Sequence, residues 1–230
     1  MNSDDFIKFL KRLSLDGLSV LNTSIPKSKF IPLDLSETND ELKTIDVSSS
    51  EKLGIYVNNY IKTNNAQVAF GGYLEKRNIY KRSNHFNKKE DQERNIHLGV
   101  DLWCDVETPV YTPFDATLHS FNNNTNYGDY GPTIVLKHRI MGNEFYTLYG
   151  HLSLNSLNNL EAGKVFKKGD KIATLGETVV NGDYPPHLHF QIIKEIQNFK
   201  GDYPGVCSKT DLEFYQNNCP NPNLLLKLNY

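Results

Sequence analysis

The sequence lacks long apolar runs and clusters of basic residues. None of its apolar stretches approaches the ~20 residues that a membrane-spanning helix needs, so we expect no membrane span. The 25 lysines and arginines are balanced by 27 aspartates and glutamates, which gives a net charge of −2. No Lys/Arg-rich run stands out, and nucleic acid is therefore not an expected partner. With 38% hydrophobic and 23% charged residues, the composition is typical of a globular chain.

Cysteine is also scarce. Cys104, Cys207 and Cys219 cannot all pair within one chain. The segment 1–17 carries acidic residues where a secretory signal would carry basic ones, and charged residues interrupt its apolar positions. Free thiols in a reducing compartment are the simplest interpretation. We therefore expect a cytoplasmic location, or a periplasmic or extracellular one if the sequence is a trimmed form.

The first 65 residues predict a helical N-terminal extension. Two stripes of apolar residues at helical spacing each follow residues that suit a helix start. Between them, Pro26 and Pro32 predict an irregular stretch. The stripes consist of Phe6, Ile7, Leu10 and Leu13, and of Leu53, Tyr56, Val57, Tyr60 and Ile61.

Residues 66–230 predict a mainly β domain, with a C-terminal extension from about residue 200. Short apolar or alternating segments are separated by Gly, Asn, Asp and Pro, which favours an antiparallel sheet, a sandwich or an open barrel. Residues 164–176 predict a hairpin with its turn at 168–170. The predicted strand segments are 67–73, 108–113, 116–121, 133–138, 144–152, 170–176 and 187–193.

Five residues in three motifs combine side chains that bind metals or transfer protons. They are His97 and Asp101 four residues apart, His151, and the pair His187 and His189. In a strand, His187 and His189 project from the same face, so the pair supplies either two metal ligands or one ligand and one acid/base.

Two imidazoles and one carboxylate give zinc three protein ligands. The fourth tetrahedral position is then open for water, which is typical of catalytic rather than structural zinc sites. Zinc lowers the pKa of such a water and polarises a carbonyl group. The remaining two histidines of the five residues are candidates for moving protons or stabilising a developing oxyanion.

The order of these motifs resembles the lysostaphin/LytM-type zinc metallopeptidases. The resemblance covers roughly residues 95–195 and includes the intervening segments 99–102, 108–113, 168–170 and 172–176. It implies a two-layer antiparallel β fold with the site in a groove along one sheet. It also implies peptide substrates, often in bacterial cell walls, next to glycine or D-amino acids.

Carried onto this sequence, the resemblance implies that one zinc ion per chain is held by His97, Asp101 and His189. His151 and His187 then lie nearby as catalytic residues, and we favour His187 as the general base. The function implied is that of a zinc metalloendopeptidase, in which metal-activated water hydrolyses a peptide bond.

The C-terminal segments 201–207 and 218–226 lie outside the common peptidase core. They resemble the version of this domain that is joined to a kinase-like phosphotransferase and a pyridoxal-phosphate aminotransferase. That version makes a small intracellular peptide or amide an alternative substrate. A catalytically inactive binding or regulatory module is a further alternative. The remaining histidines, His85, His119 and His138, are interpreted as structural or surface residues, and Cys104 as a packing residue. The oligomeric state is not indicated.

Overall fold

The described residues of the computed structural model, 2–15, 17–83 and 93–230, form a mainly β structure. The strands are β1 Phe30–Pro32, β2 Val68–Gly71, β3 Ile96–His97, β4 Val100–Trp103, β5 Pro109–Tyr111, β6 Ala116–Asn124, β7 Gly131–Ile140, β8 Asn143–Gly150, β9 Val165–Phe166, β10 Lys171–Thr174, β11 His187–Ile193 and β12 Val206–Cys207. The α-helices are α1 Ser3–Leu13, α2 Ser50–Thr63, α3 Leu212–Asn218 and α4 Asn223–Leu226.

One sheet organises these elements. Among the described residues it has eight strands in the order β1-β2-β4-β11-β8-β7-β6-β9, and all pairs except the parallel β1–β2 are antiparallel. A two-stranded sheet, β5–β10, forms a second layer, because its Val110 and Ile172 share a buried cluster with Leu136 and Phe190 of the large sheet. The predicted mainly β, antiparallel fold with an N-terminal helical part is confirmed.

Helix α1 is fastened to the core of the sheet. Asn2 caps it by accepting a hydrogen bond from the Asp5 backbone N–H at 2.8 Å. The predicted apolar stripe turns inward, so that Phe6 and Leu10 are fully buried and the Phe6 ring packs edge-on against Phe145 at 6.0 Å. Each such buried side chain contributes roughly 1.5–3 kcal/mol. The N-terminal segment therefore shares the main hydrophobic core.

The expectation that the stretch between the two helices is irregular was wrong at one place. Phe30–Pro32 forms β1, whose residues lie parallel to Val68–Phe70. Pro32 is compatible with this role because β1 is the outer strand of the sheet, where a missing backbone N–H leaves no ladder partner unpaired. The boundary at residue 65 stays a prediction.

The hairpin predicted for residues 164–176 was wrong. Its turn exists, with Gly169 at φ +85° and the Lys167 N–H donating to Asp170 Oδ2 at 2.8 Å. The two strands, however, belong to different sheets, since β9 pairs with β6 and β10 with β5. Phe166 and Ile172 thus enter the same core from two layers.

All three cysteines are free thiols. Cys207 and Cys219, both in the C-terminal segment, are buried in the same hydrophobic cluster. No helix in the described part of the chain is long and apolar enough to cross a membrane. His85 lies outside the described residues.

Candidate metal centre

Strand β11 carries two of the predicted site residues and lies between β4 and β8 in the sheet. Its register places His189 opposite Asp101 of β4 and opposite Gly150 of β8. Because side chains alternate along a strand, Leu188 and Phe190 enter the hydrophobic core while the two histidines project from the other face. The alternation of histidines and apolar residues along β11 therefore places both histidines on the face of the sheet that carries the site.

His97, Asp101 and His189 converge on one point. His97 Nε2 lies 2.9 Å from His189 Nδ1 and 3.3 Å from Asp101 Oδ1, and His189 Nδ1 lies 3.2 Å from the same oxygen. In a tetrahedral zinc site with bonds near 2.0–2.1 Å, neighbouring ligand atoms are about 3.3 Å apart. The three side chains are 1–2% exposed. Their spacing and donor types thus fit a single zinc ion.

Hydrogen bonds on the far side of each ring leave the converging nitrogens free to bind a metal. His97 Nδ1 donates to the carbonyl of Gly72 at 2.9 Å, so Nε2 carries the lone pair. His189 Nε2 donates to Gln191 Oε1 at 2.9 Å, so Nδ1 carries it. Gln191 Nε2 in turn donates to the Pro204 carbonyl at 3.1 Å, which fixes the orientation of the amide. Such partners set the tautomer and the angle of metal-binding histidines.

Arg77 is a site residue that the sequence did not indicate. Its Nη1 donates to Asp101 Oδ2 at 2.5 Å, and its Nε pairs with Glu75. Arg77 is 3% exposed. Burial would raise the pKa of Asp101, but His97 and Arg77 outweigh that effect and hold the pKa well below its ordinary value. Asp101 is therefore ionised, with Oδ1 facing the metal position.

The neighbourhood of Arg77 needs a glycine. Gly72 has φ +103°, a conformation that favours glycine, and a Cβ there would lie 1.9 Å from Arg77 Nη2 and 2.9 Å from His97 Nδ1. The absence of a side chain at this position lets the guanidinium and the imidazole pack against the same backbone turn.

His151 and His187 form the second half of the site. Their rings are 4.2 Å apart, and His187 also stacks on Trp103 at 4.0 Å. His151 Nδ1 donates to the Asn181 carbonyl at 2.7 Å, and His187 Nδ1 donates to the Pro185 carbonyl at 2.8 Å. Each Nε2 is therefore the basic nitrogen of its ring.

Burial keeps these imidazoles neutral. It lowers the pKa of His187 to about 4 and that of His151 well below its ordinary value. His187 Nε2 lies 3.8 Å from Asp101 Oδ1, which places it beside the point on which the three ligand atoms converge. A neutral imidazole at this distance can accept a proton from a molecule bound at that point.

A cavity of about 810 Å³, including its mouth, opens onto the metal centre. All five predicted site residues line it, so the structure brings together every residue that the sequence analysis grouped. Without the open solvent at its mouth the cavity holds about 170 Å³, which is less than the ~300–1,000 Å³ of typical small-molecule sites. The cavity is also lined by Leu35, Ile79, Tyr80, Phe199, Tyr203 and Val206.

The other described histidines lie elsewhere. His119 is half-buried and bonds to Ser120 Oγ at 2.8 Å, while His138 is buried between the Asp115 carbonyl and Thr147 Oγ1. Cys104 packs against the main core cluster, and burial raises the pKa of its thiol to about 12. None of the three lines the cavity.

Comparisons with known proteins match the region of the chain that contains the five site residues. The family model described as peptidase family M23 matches residues 95–201. A curated protein of Haemophilus influenzae, described as an uncharacterized metalloprotease, is 36% identical over 95 residues. That match covers 41% of this chain and 18% of the other protein, so the chain spans only a small part of that relative's length.

Two solved structures are also similar. The catalytic domain of the antimicrobial peptidase lysostaphin from Staphylococcus simulans is 21% identical, with 71% of this chain and 97% of that chain covered and a TM-score of 0.43. A zinc containing peptidase from Vibrio cholerae is 27% identical, with 48% and 31% covered and a TM-score of 0.34.

Proposed function

Because residues 95–201 form a domain of peptidase family M23, we propose that this protein hydrolyses peptide bonds with a zinc ion held by His97, Asp101 and His189. The observation that carries the proposal is the convergence of His97 Nε2, Asp101 Oδ1 and His189 Nδ1, with ligand atoms 2.9–3.3 Å apart at the wall of a cavity. When bound there, zinc supplies a Lewis acid that polarises a peptide carbonyl and lowers the pKa of a water molecule.

The protein's own residues then prepare the site. Each ligand is held by a partner on its far side: Gly72 for His97, Arg77 for Asp101 and Gln191 for His189. Preorganised ligands avoid the cost of ordering side chains when metal and substrate bind.

We assign the proton transfers to the paired histidines. His187 Nε2 accepts the proton of the attacking water, and the resulting imidazolium donates it to the nitrogen of the leaving amine. Asp101 Oδ1, 3.8 Å away, stabilises the charge on His187 while it is protonated. His151, in ring contact with His187, is the second residue positioned to contact the reacting carbonyl.

The test uses the full chain with a measured metal content. We expect about one zinc per chain, hydrolysis of glycyl peptides, loss of activity on chelation and recovery when zinc is added back. His97→Ala should lose zinc and activity, and His119→Ala is the matched control because His119 does not line the cavity. Undiminished hydrolysis by the metal-free protein would disprove the proposal. A correctly folded protein that binds no zinc would instead favour a binding module.

A further inference from the structure

The cavity is walled on two sides by segments outside the family match. One wall comes from the N-terminal part of the chain and includes Leu35, Ile79 and Tyr80. A second wall comes from the C-terminal extension and includes Tyr203 and Val206, and Val206 packs in one buried cluster with the three residues of the first wall. The metal centre therefore lies inside a pocket with two additional walls.

The N-terminal wall is fixed to the segment that precedes His187. Leu35 N–H donates to Glu75 Oε1 at 3.1 Å, beside the Arg77 ion pair. Arg82, whose side chain is 3% exposed, donates to Asp183 Oδ2 at 3.1 Å. Ser50 Oγ donates to the other oxygen of Asp183 at 2.7 Å. These bonds connect the start of α2 to the segment that precedes His187.

The C-terminal wall is fixed to the strand that carries a metal ligand. Val206 of β12 pairs with His97 of β3, and the Leu98 N–H donates to the Gly205 carbonyl at 2.8 Å. A Cβ on Gly205 would lie 1.9 Å from the Tyr130 hydroxyl oxygen, so the two segments are in close contact. Both walls are hydrogen-bonded parts of the site, unlike loops held by few contacts.

The size of the cavity limits what can enter. Apart from its open mouth the cavity holds about 170 Å³, below the ~300–1,000 Å³ of typical small-molecule sites, so its size suits a short peptide. The five site residues are 1–5% exposed, so they lie inside the cavity and not on an open surface of the protein.

On the basis of the proposed function, we propose that the cavity takes short peptides that enter by one end. Internal segments of long peptides and of cell-wall polymers are excluded by the two walls. The N-terminal segment and the C-terminal extension thus determine the substrate size of this protein.

The test compares a linear peptide with one that has no ends. We would measure binding to the zinc-loaded full chain by calorimetry, and hydrolysis by mass spectrometry. The probes are a tripeptide of glycine and alanine, acetylated and amidated, and a head-to-tail cyclic decapeptide of the same residues. We expect the tripeptide to bind at least tenfold more tightly and the cyclic peptide to remain uncut. Equal binding or hydrolysis of the two peptides would overturn the inference, as would the absence of binding to both.

A variant tests whether the C-terminal wall causes the difference in binding between the two peptides. Phe199 is half-buried, lines the cavity and packs edge-on against Tyr203 of the C-terminal wall at 5.0 Å, so Phe199→Ala should widen the pocket beside this wall. The ratio of the binding affinities of the two peptides should then shrink at least threefold. Phe214→Ala, at a half-exposed position outside the cavity, should leave that ratio unchanged. An unchanged ratio in Phe199→Ala would contradict the role of this wall. If the tripeptide binds selectively to the zinc-loaded protein and is not cut, the proposed hydrolysis fails while the size limit stands.

Discussion

Arg77 Nη1 lies 2.5 Å from Asp101 Oδ2 and occupies the oxygen that faces away from the metal position. Both side chains are almost fully buried, and Glu75 contacts the same guanidinium. An aspartate whose second oxygen is held in this way presents a single oxygen to a metal. Arg77 therefore orients Asp101, a proposed metal ligand, from the side away from the metal position, as hydrogen-bonded outer partners of metal ligands do.

We expect Arg77→Met to weaken zinc binding by roughly 10- to 100-fold, because outer partners of metal ligands typically have effects of that size. The metal-free variant should also lose about 3–5 kcal/mol of unfolding free energy, since Glu75 and Asp101 lose their buried counter-charge. Zinc competition with a chromogenic chelator measures the first effect, and urea unfolding in a chelator measures the second.

Arg139→Met is the matched control for that experiment. Arg139 pairs with Glu144 at 2.7 Å, but its side chain is 74% exposed. Surface pairs of this kind contribute about 0–1 kcal/mol. If both variants change zinc affinity and stability equally, the effect does not arise from the buried pair.

Substitution of the two cavity histidines that are not proposed as ligands should separate catalysis from metal binding. We expect His187→Ala and His151→Ala each to retain zinc and to reduce kcat by roughly 10²- to 10⁴-fold, with the larger loss in His187→Ala. Metal analysis and steady-state kinetics on a glycyl peptide check this. Loss of zinc from either variant would make that histidine a ligand instead.

The stability of the metal-free protein should depend on the protonation of His138. Burial lowers the pKa of this histidine to about 4, below its ordinary value of 6.5. Between these two values the unfolded chain binds the proton and the folded protein does not, so stability rises with pH. The contribution is present above pH 6.5 and is lost as the pH falls towards 4, by an amount on the order of 3 kcal/mol.

Urea unfolding at pH 7.5 and pH 5 in a chelator, with wild type and His138→Gln, measures this contribution. Other buried histidines also destabilise the metal-free protein in acid, so the difference between the two proteins isolates His138. We expect the loss of stability between the two pH values to be smaller in His138→Gln. An equal loss would show that His138 does not titrate as described.

Phe6→Ala should destabilise the whole protein and not only α1. Phe6 is fully buried against Phe145 of β8, and truncation of a buried phenylalanine costs about 3–5 kcal/mol. Phe214→Ala, at a half-exposed position, should cost far less. Urea unfolding followed by the fluorescence of Trp103 in β4 reports on the sheet. Separate unfolding of α1, with an unchanged Trp103 transition, would contradict this prediction.

Much of the fold follows from local patterns in the sequence. The stripes at Phe6–Leu13 and Leu53–Ile61 form helices, and the segment 187–193 forms a strand with the expected alternation. Other features depend on partners that are distant in sequence. β1 exists because Phe30–Pro32 pairs with Val68–Phe70. The turn at Gly169 is compatible with flanking strands that pair with each other or that belong to two different sheets, as they do here.

The site residues also divide into those that motifs in the sequence indicate and those that depend on partners distant in sequence. The motifs in the sequence, through the resemblance that they carry, implied His97, Asp101 and His189 as ligands, and the structure brings the ligand atoms of these three residues together. Arg77 was missed because its partner is 24 residues further along the chain, at a separation that no helix or strand repeat suggests. The pairing of Val206 with His97 was missed for a similar reason, since a two-residue strand has no periodicity to detect.

The hydrogen-bond acceptors that orient the four histidines differ in how sensitive they are to amino-acid substitution. Three histidines are oriented by the main-chain carbonyls of Gly72, Asn181 and Pro185, and a carbonyl remains whichever amino acid is encoded there. His189 depends on the side chain of Gln191 and therefore has no such protection. A substitution of Gln191 by a residue without a side-chain acceptor would remove that acceptor outright, whereas the carbonyls persist at the other three positions, although a side chain at Gly72 would clash with Arg77 and His97.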